Sequence, residues 1–361
     1  MTGDRSQLVG AVLATTWLVV FVGADAVTAG ASFILSPLFA IAPLIACAVL
    51  PGRVTAVFGA ATVLFAVVSG GWNGAWGTPQ QVVRIVDVTL ISVLAVLIAV
   101  VRVRREQQHE RVAAIAEVAQ RTILPTLPEV AGRVTTGVRY MSAAEDAVVG
   151  GDLYDYYSSD THVRFLIGDV RGKGVAAVEQ AARVIRAFRQ SAATQPTLPD
   201  VARDMSVYLQ RFFDDEEFVT ALLVDATEPG RLTVVSCGHP PALLVPATGS
   251  AVFVEAPPGL PLGLGEEYDA RTVSWQPGDR LLLYTDGLSE ARDGDGEFLR
   301  VDGLAPVLRG AGLDPALDGL LDAVRRHLPD GQLTDDLAVL LLEHNPAADR
   351  HPAGVPAPAS R

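Results

Sequence analysis

The chain has 361 residues, half of them apolar, with 41 acidic against 28 basic side chains and a net charge of −13. That length holds two or three domains, and the acidic balance excludes a nucleic-acid partner gripped through Lys/Arg stripes. The charge is unevenly spread. Residues 1–101 carry three acids (Asp4, Asp25, Asp87) and three bases (Arg5, Arg53, Arg84), leaving 38 acids and 25 bases for the rest. Cys47 and Cys237 fall in different regions and make no disulfide framework, which suits a reducing compartment for the polar part.

Four apolar runs lead the chain, at 8–24, 31–50, 54–70 and 82–101, each of 17 to 20 residues. At ~1.5 Å rise per residue such runs span a hydrocarbon core of roughly 30 Å. The first run has the length of a signal peptide, but three more follow it, so a multi-span membrane anchor over 1–101 is expected. The connection between runs two and three is PGR, and the chain leaves the fourth as VRVRREQQHER; the other two connections contain no Lys or Arg. The positive-inside rule therefore puts both termini, and all that follows the fourth run, on the cytoplasmic side of the inner membrane. Trp72 and Trp76 suit the opposite interface. Arg84 and Asp87, three apart near that interface, have the spacing to pair on one helix face, or snorkel separately.

Residues 102–124 are rich in Arg, Glu, Gln and Ala and predict a helical stalk. Its apolar positions Val112, Ile115, Ala116, Ala119 and Ile123 form one thin stripe, suited to weak pairing with a second copy, and Pro125 and Pro128 end it. With these prolines the linker extends over 102–130. From 131 to 345 the texture becomes short β-rich runs: VTTGVRYM, LYDYYSS, HVRFLIGDV, FVTALLVDA, RLTVVSC, PALLVP, AVFVEA, YDARTVSW, DRLLLYTD and LAVLLLE. Helices are expected at 175–191, 198–213 and within 302–328. Many strands broken by one helical pair predict an α+β domain with antiparallel sheets packed face to face and helices outside. The Pro/Ala-rich tail, 346–361, is expected to be disordered.

Within this domain the stretch IGDVRGKGVAA invites comparison with a nucleotide-binding loop. Only three residues separate Gly168 from Gly172, and Gly174 follows Lys173, so the spacing and the missing Ser/Thr exclude that reading. Asp169 is left to explain. It is one of four acidic sites placed beside a turn or at a strand end: Asp152 in VVGGDLYD, Asp169 in FLIGDVRGKG, Asp286 in LLLYTDGLSEA, and Asp335–Asp336 in LTDDLAVLLL. Singly, each is an ordinary turn or cap residue. Together they make the multiple oxygen donors that a hard divalent cation requires.

GGDLYD, GDVRGKGVAA, SCGHPP, PPGLPLGL, DRLLLYTDGLSEA and TDDLAVLLL stand in the order seen in the metal-dependent serine/threonine phosphatases related to protein phosphatase 2C. The domain most resembles their bacterial branch, typified by the sporulation stage II phosphatase E and the phosphatases of the general stress response. The resemblance covers about 120–343, including a short ILPTLP, and says nothing of the four apolar runs. It implies a β-sandwich with a site for two Mn²⁺ or Mg²⁺ ions at one edge. Asp169 would bridge the ions with the Val170 carbonyl beside it, Asp152 would bind one ion, and Asp286 and Asp335 the other. Asp336, Gly151 and Gly287 would lie just behind these ligands. Paired cations ~3.5–4 Å apart would acidify a water and neutralise a phosphoryl group for in-line attack.

Arg171 stands where eukaryotic members place a histidine, so the proton donor to the leaving group is unassigned; His239 in CGHPP is a substitute or a structural turn residue. Lys173 is the only lysine among the 28 basic residues. A compact ammonium there suits a phosphate, or an ion pair with a neighbouring acid. The resemblance implies a membrane-tethered phosphoserine/phosphothreonine phosphatase acting on a phosphoprotein, by branch analogy an anti-sigma-factor antagonist. A catalytically silent sensor or scaffold built on the same fold is the alternative.

Overall fold

The structure is a computed structural model describing residues 2–29, 35–142, 150–214, 217–310, 312–329, 331 and 333–345. The tail expected to be disordered lies outside the described residues. Contacts divide the chain into two units, 1–111 and 112–361.

The first unit is helical. It holds α1 (Thr2–Val27), a 3₁₀ turn at Ser36–Ala40 leading into α2 (Ile41–Val49), α3 (Gly52–Trp72) and the greater part of α4 (Pro79–Ile123). Among the described residues three helical stretches are long and apolar enough to cross a membrane: Arg5–Val27, Gly52–Trp72 and Pro79–Gln108. The second apolar run yields a shorter element than expected. Pro37 sits in its first turn, and residues 36–49 rise only roughly 24 Å as a 3₁₀ turn plus α-helix. Residues 30–34, which open that run, lie outside the described residues. Arg102 donates to the carbonyls of Ala48 and Leu50, satisfying the end of α2.

Small residues on α3 set its contact with α4. A Cβ added at Gly52, Gly59 or Gly70 would stand 2.6, 3.1 or 2.8 Å from Val100, Ser92 and Gln81 respectively. Glycine thus lets the two helices approach closely. Outward positions such as Leu8, Val57, Leu64 and Leu90 are exposed apolar residues. Asp25 is buried, and its carboxylate accepts from the Leu35 amide (2.8 Å), the Trp72 indole (3.0 Å) and the Asn73 side-chain amide (2.9 Å). Arg84, weighed above as a partner for Asp87, keeps Nη1 buried without a hydrogen-bond partner.

The second unit is the expected α+β sandwich. In chain order it contains β1 (Val130–Ala131), β2 (Val134–Met141), β3 (Asp152–Ser158), β4 (Val163–Val170), α5 (Val175–Thr194), α6 (Leu198–Leu209), β5 (Val219–Asp225), β6 (Arg231–Cys237), β7 (Ala242–Val245), β8 (Val252–Val254), β9 (Arg271–Ser274), β10 (Arg280–Tyr284), α7 (Asp286–Ser289), α8 (Ala305–Leu308), α9 (Leu313–His327) and β11 (Leu337–His344). One sheet runs β1-β2-β11-β10-β7-β8 and the other β3-β4-β5-β6-β9. All ladders between these strands are antiparallel.

Alternation along the strands builds three apolar layers. Phe165 and Ile167 of β4 meet Leu281, Leu283, Leu340 and Leu342 between the sheets. Leu166, between them, faces α5 and α6 with Leu223 and Val235. On the other side Leu282, Val339 and Leu341 pack under α9. Both faces of each sheet are covered, which is why the central strands read as unbroken apolar runs such as LLLY and LAVLLL.

Two details depart from the sequence reading. The helical region expected across 302–328 is broken into a 3₁₀ turn at Val301–Leu304, α8 and α9, with Gly312 at φ +80° before α9. The stalk stripe does not form one free face: Ala119 and Ile123 pack on Val178 of α5, whereas Val112, Ile115 and Val118 are exposed. The side chain of Ala116 lies outside the described residues. Arg164 of β4 is fully buried; it pairs with Asp225 at 2.8 Å and donates to the carbonyls of Ala192, Gln195 and Pro196 at 2.7–3.0 Å.

Candidate active site

The acids named from the sequence come together at one edge of the sandwich. Asp152 opens β3 and Asp169 sits near the end of β4, and the antiparallel register makes them direct partners. Beyond Asp169 the chain must turn sharply into α5, and Gly172 (φ +108°) and Gly174 (φ +88°) take backbone conformations that disfavour any other residue. Asp286 follows β10 as the first residue of α7. Asp335 and Asp336 lead into β11, the neighbour of β10. Thr285 stitches these elements together: its hydroxyl donates to Asp152 Oδ2 at 2.7 Å and accepts from the Ala338 amide at 2.9 Å.

Two glycines permit the close packing. A Cβ at Gly151 would lie 2.2 Å from the Val170 carbonyl oxygen and 2.9 Å from Asp169 Oδ1. One at Gly287 would lie 2.0 Å from the Asp336 carbonyl oxygen. Asp336 itself is buried, with its carboxylate turned toward the fold: it accepts from the Tyr140 hydroxyl, from Ser142 Oγ at 3.1 Å and from the Gly150 amide at 2.9 Å.

Like charges crowd here. Burial, followed by the carboxylates of Asp286, Asp335 and Asp336, pushes Asp169 up to about 7, against the opposing pull of Lys173. Burial and then Asp169 push Asp152 well above the ordinary carboxylate range. Asp286 is raised too, by burial first and then by Glu290 and Asp335. Buried carboxylates with clustered charge and few cations favour any ligand that brings positive charge.

The basic residues and the histidine resolve differently. Lys173 Nζ stands 2.9 Å from Asp335 Oδ1, so its ammonium is in an ion pair with one of the acids. Arg171 lies over the Phe218 ring at 5.4 Å. His239 is buried, with Nδ1 3.0 Å from Thr220 Oγ1 and Nε2 3.0 Å from the Tyr284 carbonyl. Burial drives its pKa down to about 4. These contacts link β5 to β10, the arrangement that the structural alternative expects.

The candidate donor set is entirely oxygen: the carboxylates of Asp152, Asp169, Asp286 and Asp335 and the carbonyl of Val170. That chemistry fits Mg²⁺ or Mn²⁺ rather than zinc or copper. Among the described residues no three His, Cys, Asp or Glu side chains close on one point tightly enough to hold an ion by themselves. A Mg²⁺-like ion does not need such a cage, since it keeps several waters and takes one or two carboxylates. The cradle left by Gly151 beside the Val170 carbonyl supplies the further oxygen. The residues fit a divalent cation.

Several contributors carried no separable sequence signal. Thr285 and Tyr140 read as ordinary strand residues, and Gln120 as one more polar residue of a stalk. Asp155, three residues after Asp152 on β3, pairs with Arg189 of α5 at 2.7 Å and is structural. Only the register of β3 against β4 separates its role from that of Asp152.

An antiparallel two-sheet sandwich that gathers acids from four strand ends defines the fold of the protein phosphatase 2C class. A family model described as stage II sporulation protein E matches residues 159–345. The chain belongs to that family. It is similar to the phosphoserine phosphatase RsbP of Bacillus subtilis strain 168, at 28% identity over 173 residues, 46% of this chain and 42% of that one. Among solved structures it resembles the RsbU and RsbW domains of Rv1364c from Mycobacterium tuberculosis, with 26% identity and a TM-score of 0.52 over 60% of this chain and 61% of that one. The SiaA-PP2C domain of Pseudomonas aeruginosa shares the fold, with a TM-score of 0.54 at 18% identity over 68% of this chain and 99% of that one. The chain spans less than half the length of the curated relatives it matches.

Proposed function

We propose that the chain is a membrane-tethered, divalent-metal-dependent protein phosphatase acting on phosphoserine or phosphothreonine. The observation that carries the reading is the pairing of Asp152 with Asp169 on adjacent strands, with Asp286 and Asp335 beside them. Family membership supports it, and so does the likeness to RsbP, a phosphoserine phosphatase.

In this reading Asp169 would serve both cations and the Val170 carbonyl would add a ligand, while Asp152 would serve one ion and Asp286 and Asp335 the other. When bound, Mn²⁺ or Mg²⁺ supplies positive charge against the phosphoryl oxygens and acidifies water for in-line displacement. The chain's own part is to hold the acids side by side and correctly spaced. Thr285 orients Asp152, and Lys173 holds Asp335 through a charge-assisted bond. Asp336 accepts three hydrogen bonds and fixes the glycine that precedes Gly151.

The apolar helices anchor residues 1–101 in the membrane, with 102–130 as linker and 131–345 as the phosphatase domain on the cytoplasmic side, as the arginine distribution favours. The substrate is a phosphoprotein, in this family branch an anti-sigma-factor antagonist, and the exposed stalk residues Val112, Ile115 and Val118 suit weak pairing of two copies. The test is release of inorganic phosphate from a phosphoserine peptide by the full chain in detergent micelles. Release should require Mn²⁺ or Mg²⁺ and vanish with EDTA. Tight Mn²⁺ binding without any turnover of phosphoserine or phosphothreonine would favour the silent scaffold instead.

A further inference from the structure

Gln120 lies in the last turn of α4 and is 5% exposed. Its side-chain amide Nε2 stands 3.0 Å from the Tyr140 hydroxyl, 3.2 Å from the Gly150 carbonyl and 3.2 Å from the Asp152 carbonyl. The same Tyr140 hydroxyl donates to Asp336, and Asp336 accepts from the Gly150 amide. A closed circuit results. Both backbone groups of Gly150 are held by side chains, its N–H by Asp336 and its carbonyl by Gln120.

We propose that Gln120 is a positioning residue for the metal site, fixing through its amide the backbone that presents Asp152. The proposal rests on the metal-dependent reading above. Gly150 and Gly151 have no side chains to anchor them and carry more conformational freedom than any other residue pair. Gly151 nevertheless has to pass within contact of the Val170 carbonyl and Asp169. Some neighbour must restrict it, and Gln120 reaches both sides of it, at residues 150 and 152. The chemistry requires an amide. Two N–H donors shared among three acceptors suit glutamine, whereas a glutamate, acceptor-only when ionised, would face two carbonyl oxygens with nothing to give them. The hydroxyl of Tyr140 fits the same logic, accepting from Gln120 while donating to Asp336.

The experiment compares the wild-type chain with Gln120→Leu and Gln120→Glu, full length in detergent. Mn²⁺ uptake is followed by the electron-spin signal of free Mn²⁺, and amide hydrogen exchange is measured on the metal-free proteins. Phosphate release is then titrated with Mn²⁺. Losing an outer partner of a metal ligand typically weakens metal binding by ~10–100-fold, and Gln120→Leu should fall in that range. Exchange should quicken at 150–153 and stay unchanged in β5 and β6. The half-activating Mn²⁺ concentration should rise while turnover at saturating Mn²⁺ stays within about twofold, since the acids themselves are untouched. A merely structural role would instead lower the active fraction without moving the metal dependence. Gln120→Glu keeps the length and should weaken Mn²⁺ binding as strongly; it carries the test if Gln120→Leu does not fold. Wild-type affinity and wild-type exchange in either folded variant would overturn the proposal. A wild-type chain that took up no Mn²⁺ would overturn the metal-dependent reading and this role together, whereas tight wild-type binding with unchanged variants would overturn this role alone.

Discussion

Asp25 in the helical unit is buried and Asp169 in the sandwich half-buried, and the surroundings of the two acids differ in kind. Asp25 accepts three hydrogen bonds from neutral donors of α3, its following turn and the segment before α2. Asp169 pairs with Asp152 across the strands, and burial, followed by the carboxylates of Asp286, Asp335 and Asp336, raises it to about 7. The first arrangement is finished, because its donors compensate the charge on the spot. The second is incomplete as a charge distribution, which is how a binding site for a cation differs from a structural clamp.

The sharpest test of that contrast is Asp169→Asn. Removing the central charge should reduce Mn²⁺-dependent phosphate release by ~10³-fold or more, about 4 kcal/mol of transition-state stabilisation. The same variant should melt at a higher temperature than wild type when metal-free, because a repelling charge is gone. Near-normal Mn²⁺-dependent activity would dissolve the contrast.

Asp25→Ala should behave in the opposite way. It strands the Trp72 indole and the Asn73 amide, at a cost of about 1–3 kcal/mol per buried unsatisfied group. Thermal unfolding in detergent would read this as a lower midpoint for the helical unit, with turnover of the folded enzyme unaffected. A stable Asp25→Ala would mean that the three hydrogen bonds contribute nothing.

A third test uses pH. An unfolded aspartate titrates near ~3.9, and Asp169 in the fold near about 7. Between these values the folded state binds the extra proton, so stability of the metal-free chain should fall as pH rises from ~4 to ~7. Mn²⁺ competes with that proton, so its affinity should climb through the same window. Calorimetric melts with and without Mn²⁺ at pH 5.5 and 7.5 should diverge in this direction; parallel curves would contradict it.

Lys173→Met is subtler. The Lys173–Asp335 pair is about half exposed, and such pairs contribute ~0.2–1 kcal/mol. Releasing Asp335 should therefore raise Mn²⁺ affinity by at most about fivefold. Unchanged Mn²⁺ affinity together with a fall in turnover would move Lys173 from the acid to the phosphoryl group. The smallest effect is expected from one to four alanines inserted between Gln108 and Val112, each turning the following residues by about 100°. Activity in membranes should vary with insert length, and a flat series would reduce the stalk to a tether.

Hydropathy made the apolar helices legible, because a membrane span needs only length and composition. It overstated the second run, where Pro37 delays regular helix until Ser36–Ala40 has passed in a tighter form. The strands were legible because both sheet faces are buried, leaving runs like LLLY that few other structures tolerate. The acids were recognisable through their turn glycines and their order along the chain. What lay hidden were residues whose importance is a matter of register. Thr285 matters because β10 brings it to Asp152, and Gln120 because the end of α4 meets the start of β3. Lys173 is conspicuous by composition, but its partner Asp335 lies 162 residues away and meets it only through the fold.

Strand β4 carries Arg164 near one end and Asp169 near the other, five residues or roughly 17 Å apart. The Arg164 guanidinium ties its end of β4 to Asp225 and to the α5–α6 corner by four hydrogen bonds. At the opposite end burial and neighbouring carboxylates raise Asp169 to about 7. Acidification or loss of an ion would then act on one tip of a beam whose other tip is clamped, and any resulting movement would be largest at the acids and die away toward the arginine.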